Sequence, residues 1–424
     1  MQTHLPYQIS HLHLEEQLLD QPDLQVAGQG NYLVFWWKQI ALGHLFLPPN
    51  KTLTATEYRQ RLLKAIQPAI TLYAEKAQAD GDAWQQWLQD QESEKFIPWM
   101  EKVFSGWLKG PVPEQVPISV LICTRNRPVD LKRCLEMLRS LTCRPGEIVV
   151  VDNAPSDTAT QDVVQGFEEV RYIKEPRIGL DIARNAGVVA AAFPVVAFVD
   201  DDVVVDPLWL YRVWETFLDP ATAAMTGLVI AMKLDTEAQY IFEKHWSFNR
   251  GYCDKVYDSH FFSSTLAKGP PVWLIGAGAN MAFRKDVFEE VGYFNELLDV
   301  GAAGCNGDSE MWYRILAQGH RIHYNPRAVV YHEHRKEIKG LKKQIFFYMR
   351  GFTAAALLQQ KQHQEAGYKR HLFRKLPVYY SKLVTSGFPR YRYRTKTVWV
   401  EIMGVLSGLA FYVKNRNHES KPTR

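Results

Sequence analysis

The chain is poor in cysteine: five in 424 residues, Cys123, Cys134, Cys143, Cys253 and Cys305, with no CxxC pair among them. An odd, scattered set excludes a disulfide framework and a zinc knuckle, and implies reduced thiols in a cytoplasmic setting. The start, "MQTHLPYQISHLHLEEQLLDQ", has no basic stretch followed by an apolar core, so no secretory signal is visible. An uninterrupted apolar run of the roughly 20 residues that a spanning helix needs is also missing. The nearest approach, "TVWVEIMGVLSGLAFYV" at Thr397–Val413, has 17 residues with Glu401 inside. What is present is an apolar fraction of 46%, which excludes a disordered or fibrous chain, and a length sufficient for a main domain with additions.

The net charge of +4 conceals an asymmetry. Residues 333–424 carry 20 Lys+Arg against 5 Asp+Glu, a balance of +15, which leaves −11 for the rest. The end of the chain is a basic appendage. It brings no nucleic-acid-binding module with it, so nucleic acid is not an expected partner.

Residues 1–112 read as an accessory α+β domain. "DLQVAGQGNYLVFWWKQIALGHLFLP" holds two β-rich runs around "KQ", as a hairpin or small sheet would, and "ATEYRQRLLKAIQPAITLYAEKA" and "DAWQQWLQDQ" read as helices. "GPVPEQVP", with Pro111, Pro113 and Pro117, reads as a linker. From residue 113 to about 340 strands and helices alternate: "ISVLICT", a helix with Leu131, Cys134, Leu135 and Leu138 on one face, "EIVVVDN", "SDTATQDVVQGF", "VRYI", "GLDIARNAGVVAAAF" and "VVAFVDDD". Such alternation predicts an α/β fold with a doubly wound, mostly parallel sheet, followed by a helical, basic extension over residues 341–424.

Ligands in an open sheet of this kind bind at the carboxyl ends of the strands, and the polar residues fall there. Thr124, Arg125 and Asn126 follow the first strand, Asp152 and Asn153 close the second, and Asp200, Asp201 and Asp202 close the fourth. Three adjacent carboxylates in the apolar frame "PVVAFVDDDVVVDP" require either the surface or a cation, because isolated buried carboxylates are costly and neighbouring ones repel.

"ISVLICTRNRPVDLKRCLEMLRSL", "EIVVVDN", "EPRIGLDIARNAG", "VAFVDDDV", "LIGAGANMAFRKDVFEEVGYFNELL" and "GDSEMWYRILAQGHRIHYNPRAVVYHEHR" occur in this order over residues 117–350. The ordered series resembles glycosyltransferase family 2, the GT-A nucleotide-sugar transferases. The resemblance implies a GT-A-like fold and transfer, with inversion, of a single sugar from a nucleoside diphosphate sugar, read as a UDP-sugar, to an acceptor hydroxyl. No Gln-x-x-Arg-Trp element of processive synthases follows Asp308.

Residue by residue, the resemblance places Thr124, Arg125, Asn126 and Arg127 at the nucleotide and Asp152 at its base. It places Arg184 and Asn185 at the diphosphate, and Asp200, Asp201 and Asp202 in the DxD element, with Asp202 as direct ligand of Mn²⁺ or Mg²⁺ and Asp200 nearer the ribose. His332 is implied as a further metal ligand, while His334 shares its strand face and Glu333 points away. Asp308 is implied as the base, followed by the acid Glu310. The position before Asp308, often acidic in the family, is Gly307 here. Gly276 and Gly278 would let backbone approach the sugar, and Asn280 is a weaker contact candidate.

The implied partners are a nucleotide-sugar donor and a carbohydrate or lipid-linked acceptor, in cell-surface polysaccharide or glycolipid synthesis. The flanking "RYRYRTK" and "KNRN" make Thr397–Val413 either an interfacial helix at the inner membrane surface or a packing helix with a solvated rim. The competing classes are a nucleotidyltransferase, which would carry a Gly-rich triphosphate loop where this chain reads "CTRNRPVD", a receiver-like domain, which would need no Asp308, and a sugar-nucleotide-binding relative without the base.

Overall fold

The computed structural model describes residues 4–16, 28–79, 81–108, 110–300 and 302–417. Strands β1 (Tyr7–His13), β2 (Gly30–Trp37) and β3 (Ile40–Leu47) form a three-stranded sheet. β2 and β3 pair antiparallel about Lys38 and Gln39, as the "KQ" turn predicts, and β1 adds in parallel. Helices α1 (Ala55–Lys76), α2 (Ala83–Gln89) and α3 (Ser93–Phe104) follow. Thr54 and Glu57 close a capping box at the start of α1, so its first turn has its orphan donors satisfied by its own sequence. β1 and α3 were not expected from the pattern, and residues 23–27, where the first β-rich run was read to begin, lie outside the described residues.

The second unit contains β4 (Gln115–Thr124), α4 (Pro128–Arg139), β5 (Arg144–Asn153), α5 (Ala159–Gln165), β6 (Val170–Glu175), α6 (Leu180–Ala190), β7 (Val195–Val199) and β8 (Val203–Val205). It continues through α7 (Trp209–Thr216), β9 (Thr222–Ala231), α8 (Glu237–His245), β10 (Lys255–Tyr257), α9 (Ser259–Leu266), β11 (Asn280–Arg284), α10 (Val287–Val291), α11 (Gly307–Ala317) and β12 (Arg321–His332). The sheet runs β10-β12-β9-β11-β7-β4-β5-β6, with β8 pairing onto β12. β4, β5, β6 and β7 are mutually parallel, as the alternation predicts. β11 then inserts antiparallel between β7 and β9, and β8 and β10 oppose β12, so the later half is mixed.

Two boundary expectations need correction. Pro117 belongs to β4, where a register irregularity between Val116 and Ser119 accommodates the missing donor. The N-terminal elements also do not pack alone: Leu33, Phe35, Ile66 and Tyr73 share one apolar core with Leu228 and Ile230 of β9 and Val329 of β12.

The basic extension forms α12 (Ile338–Gln362), a short turn α13 (Tyr368–Arg370), α14 (Leu376–Gly387) and α15 (Val398–Asn415). α15 lies against α12 through two glycines one turn apart. A Cβ on Gly404 would meet the Phe346 carbonyl at 2.5 Å, and one on Gly408 the Arg350 carbonyl at 2.5 Å, so only glycine permits this approach. Glu401, buried on α15, accepts from Arg394 Nη2 at 2.9 Å and Thr397 Oγ1 at 2.6 Å. The opposite face exposes Trp399, Met403, Leu406 and Val413 at 51%, 59%, 60% and 61%. The segment Tyr393–Asn415 is long and apolar enough to cross a membrane by length and composition, but one of its faces is committed to α12.

Candidate functional site

A cleft of about 1470 Å³ opens over the carboxyl ends of β4, β5 and β7. The acid triplet ends β7 in a turn, and the next residues, β8, pair antiparallel with the end of β12 in a register that sets Val203 opposite His332. That register delivers Asp202, one residue earlier, to the imidazole: His332 Nε2 is 4.0 Å from Asp202 Oδ1. Asp200, Asp202 and His332 each offer a ligand atom, all within 4.8 Å of one another.

The electrostatics of this trio fit a cation. Burial, and then the neighbouring Asp202, push the Asp200 carboxyl up to about 7. Burial also presses Asp202 upward, but His332, protonated only in the acid range where this carboxyl titrates, and Arg127 outweigh it and hold the carboxyl below its ordinary value. Burial and the adjacent His334 lower His332 to about 4, so its ring is neutral and its lone pair available. Two carboxylates and a neutral imidazole are a suitable donor set for a divalent transition-metal cation such as Mn²⁺.

Asp201 differs from its neighbours. Its Oδ2 accepts from Thr124 Oγ1 at 2.6 Å and its Oδ1 from Arg127 Nη1 at 2.6 Å, while the same Nη1 reaches Asp202 Oδ2 at 3.0 Å. The middle acid therefore ties the ends of β4 and β7 together. Expected at the donor, it has both oxygens spent inside the protein, as does the Thr124 hydroxyl. Arg125 lines the cleft, and Asn126, at φ +55°, accepts from Ser156 N at 3.0 Å to fix the loop.

Asp152 is fully covered, with Oδ2 accepting from Tyr172 Oη at 2.9 Å and Oδ1 without a partner. Burial raises its carboxyl above the ordinary value, against the hydrogen bond from Tyr172. The residue of this strand end that faces the cleft is Asn153, which accepts from Gly179 N at 3.0 Å and donates to Arg177 O at 2.7 Å.

Arg184 is buried in the cleft wall, its Nη1 donating to Asp181 Oδ1 at 3.0 Å. A Cβ on Gly278 would stand 3.0 Å from both Arg184 Nη2 and Asp308 Oδ2, so this bare backbone lets the guanidinium and the carboxylate converge. Asp308 lies in the first turn of α11, lining the cleft, and accepts from Ser309 N at 2.7 Å. It is not the cap: that position is Asn306, at φ +116°, which makes no side-chain cap bond.

Two expectations fall to the packing. Asn185 exchanges both amide groups with the Phe294 backbone, at 3.0 and 2.9 Å. Asn280 accepts from Trp209 Nε1 at 3.0 Å and donates to the Leu228 and Ala328 carbonyls at 3.1 and 2.8 Å. Both are buried with their hydrogen bonds consumed, so neither reaches the donor. Glu310 is bound to Arg314 Nε at 2.9 Å, which in turn holds the Tyr293 carbonyl at 2.8 Å, and so braces α11.

The site also contains residues that the sequence pattern did not reveal. Asp181 lies against Gly307, and burial, with Asp299 and Asp308 nearby and Arg184 opposing, pushes its carboxyl up to about 7. Asp299 accepts from Leu180 N at 2.6 Å and Asp181 N at 2.9 Å and so caps α6. The far wall comes from α12, α14 with the turn before it, and the loop after α8, with Trp246, Arg250, Lys343, Tyr348, Lys375 and Tyr379. "HWSFNRGY" was the one local signal for that wall, an arginine among aromatics in a turn.

Comparison with known proteins meets the geometry at this point: residues 119–292 match the family model for glycosyl transferase family 2. Those residues are a family 2 glycosyltransferase domain. The pre-mycofactocin glycosyltransferase of Mycobacterium tuberculosis is 27% identical over 247 residues, 58% of this chain, and the match spans 48% of that protein's length. The glucosyl-dolichyl phosphate glucuronosyltransferase of Haloferax volcanii is 25% identical over 54% of this chain and 74% of its own. The succinoglycan biosynthesis protein ExoM of Rhizobium meliloti is 27% identical over 59% of this chain and 78% of its own. Among solved structures, a mannosyltransferase from Pyrobaculum calidifontis, in complex with GDP-Man and Mn²⁺, is a distant likeness, 16% identical with a TM-score of 0.40 over 83% of this chain and 88% of that one.

Proposed function

We propose that this protein transfers one sugar from a nucleoside diphosphate sugar to an acceptor hydroxyl, with inversion at the anomeric carbon. The observation that carries the reading is the meeting, in one cleft, of the Asp200, Asp202 and His332 trio with Asp308, across Arg184 and Gly278. A divalent cation held by the trio would offset the charge that gathers on the departing diphosphate. Arg184, fixed by Asp181 and facing the cleft, presents a second, permanent positive charge to the same phosphates. Asp308 takes the proton of the attacking hydroxyl, and a single displacement with one such base inverts configuration. The donor is read as a UDP-sugar on the resemblance to family 2, which places the end of β5 at the base; Asp152 is covered there, and Asn153 is the residue of that strand end in the cleft wall.

The acceptor side is the aromatic and basic wall. Arg250, Lys343 and Lys375 line it with no carboxylate within ion-pair distance among the described residues, which supports an acceptor that carries phosphate beside an apolar or sugar body. A relative named for a dolichyl phosphate substrate supports a lipid-linked acceptor. The apolar outer face of α15, beside exposed Arg390, Arg392, Lys414 and Arg416, supports contact with an anionic membrane at its cytoplasmic face. Proton NMR of the product made from a UDP-sugar tests the inversion directly: the glycosidic bond has the opposite anomeric configuration to the donor, and retention would exclude Asp308 as the base of a single displacement.

A further inference from the structure

The metal reading leaves three buried polar groups unexplained, and they form one chain. His332 Nδ1 lies 3.1 Å from His334 Nδ1, and His334 Nε2 lies 2.9 Å from Glu243 Oε2 on α8. The other oxygen, Glu243 Oε1, accepts from Tyr32 Oη at 3.2 Å, and Tyr32 belongs to β2 of the N-terminal sheet. The side chains of His334 and Glu243 are 1% and 2% exposed. Phe248 packs against both imidazoles, with ring centroids 5.3 and 6.3 Å away, and Phe242 sits 4.6 Å from His334, so neither ring is free to turn.

Donors and acceptors in this chain can be assigned by elimination. A carboxylate only accepts, so His334 Nε2 carries the hydrogen. A neutral imidazole with a hydrogen on Nε2 has an acceptor at Nδ1, so the hydrogen between the two rings belongs to His332 Nδ1. The lone pair of His332 is thereby left on Nε2, the atom that faces Asp202 at 4.0 Å. Outer partners commonly fix the tautomer and orientation of a metal-ligating histidine, and their loss typically weakens metal binding 10- to 100-fold.

We infer that Glu243 and His334 are positioning residues that hold His332 in its Nδ1–H form with Nε2 open to the cation, and that the N-terminal sheet, through Tyr32, anchors the outer end of that chain. The inference rests on the metal reading proposed above. It gives the N-terminal elements a role in the site they never enter: the apolar core that they share with β9 and β12 holds Tyr32 at hydrogen-bonding distance from Glu243.

The test uses the full chain labelled with ¹⁵N-histidine, without metal. Long-range ¹H–¹⁵N correlation at pH 8 should show neighbouring residues in opposite tautomers, His332 protonated on Nδ1 and His334 on Nε2. His332 protonated on Nε2 would overturn the inference, whatever the protein does with metal. Calorimetric titration with Mn²⁺ alone then compares the wild type with Glu243→Leu and with Tyr32→Phe, which removes only a hydroxyl. Mn²⁺ should bind Glu243→Leu about 10- to 100-fold more weakly, with a smaller loss in Tyr32→Phe. Unchanged affinity in a folded Glu243→Leu protein would also overturn it. If that variant does not fold, the wild-type tautomers and the Tyr32→Phe titration still decide. A wild type with these tautomers that binds no Mn²⁺ would instead refute the metal reading.

Discussion

Gly307 lies directly on the carboxylate of Asp181: a Cβ at position 307 would overlap the Asp181 oxygens. The glycine that interrupts the acidic pair before Asp308 is therefore dictated by packing, and a carboxylate from α6 stands in the space that a side chain there would enter. Gly307→Ala should force α6 and α11 apart and destabilise the fold by about 1–3 kcal/mol, the usual range for overpacking. Denaturant unfolding measures this, and a wild-type midpoint would mean that Asp181 moves aside freely.

Asp308→Asn keeps the shape of the side chain and removes its ability to accept a proton. Turnover should fall about 10² to 10⁴-fold, the usual range for a general base, with nucleotide binding nearly unchanged. Steady-state kinetics alongside calorimetry with UDP separate the two, and near-normal turnover would reduce Asp308 to a wall residue.

Asp202→Asn should weaken Mn²⁺-dependent UDP binding, because it removes a charge facing the cation and leaves Arg127 with only Asp201. Acid should act in the same direction on the wild type. Asp200 is raised to about 7, so below that pH it carries a proton where a cation would bind, and affinity should decline as pH falls through 7 and level off above it. Calorimetry from pH 6 to 8.5 checks the sign. Stronger binding at pH 6 would remove Asp200 from the cation site.

Much of this cleft was legible because strand ends in a parallel sheet have a fixed function: Arg184, Asp200, Asp202 and Asp308, which line it, all came from motifs at those ends or on the helices beside them, whereas Thr124 and Asp201 came from the same motifs and bind each other. What misled was the amide side chain. Asn185 and Asn280 sit in the right motifs, but an asparagine in a core is as readily used to staple backbone, and only the positions of the Phe294, Leu228 and Ala328 backbone groups reveal that use. The antiparallel insertion of β11, and the approach of Asp181 to Gly307, depend on pairings between segments distant in sequence. No local period records them.

Replacing Trp399, Met403 and Leu406 with glutamine should release the protein from anionic vesicles without altering nucleotide binding, because these side chains point away from α12. Sedimentation with vesicles measures this. Added salt should reproduce only part of the effect, since it screens charge within about 10 Å at 0.1 M and does not weaken apolar insertion. Equal sedimentation of variant and wild type would leave the exposed stripe without a membrane role.

The most direct measurement is nucleoside diphosphate release from a panel of nucleotide sugars, with and without Mn²⁺, by the wild type and by Asp202→Asn. The account predicts that at least one donor is turned over by the wild type with Mn²⁺, that chelation stops it, and that Asp202→Asn loses most of the activity. Turnover that neither chelation nor Asp202→Asn affects, or no binding or turnover of any nucleotide sugar by a folded wild type, would contradict it.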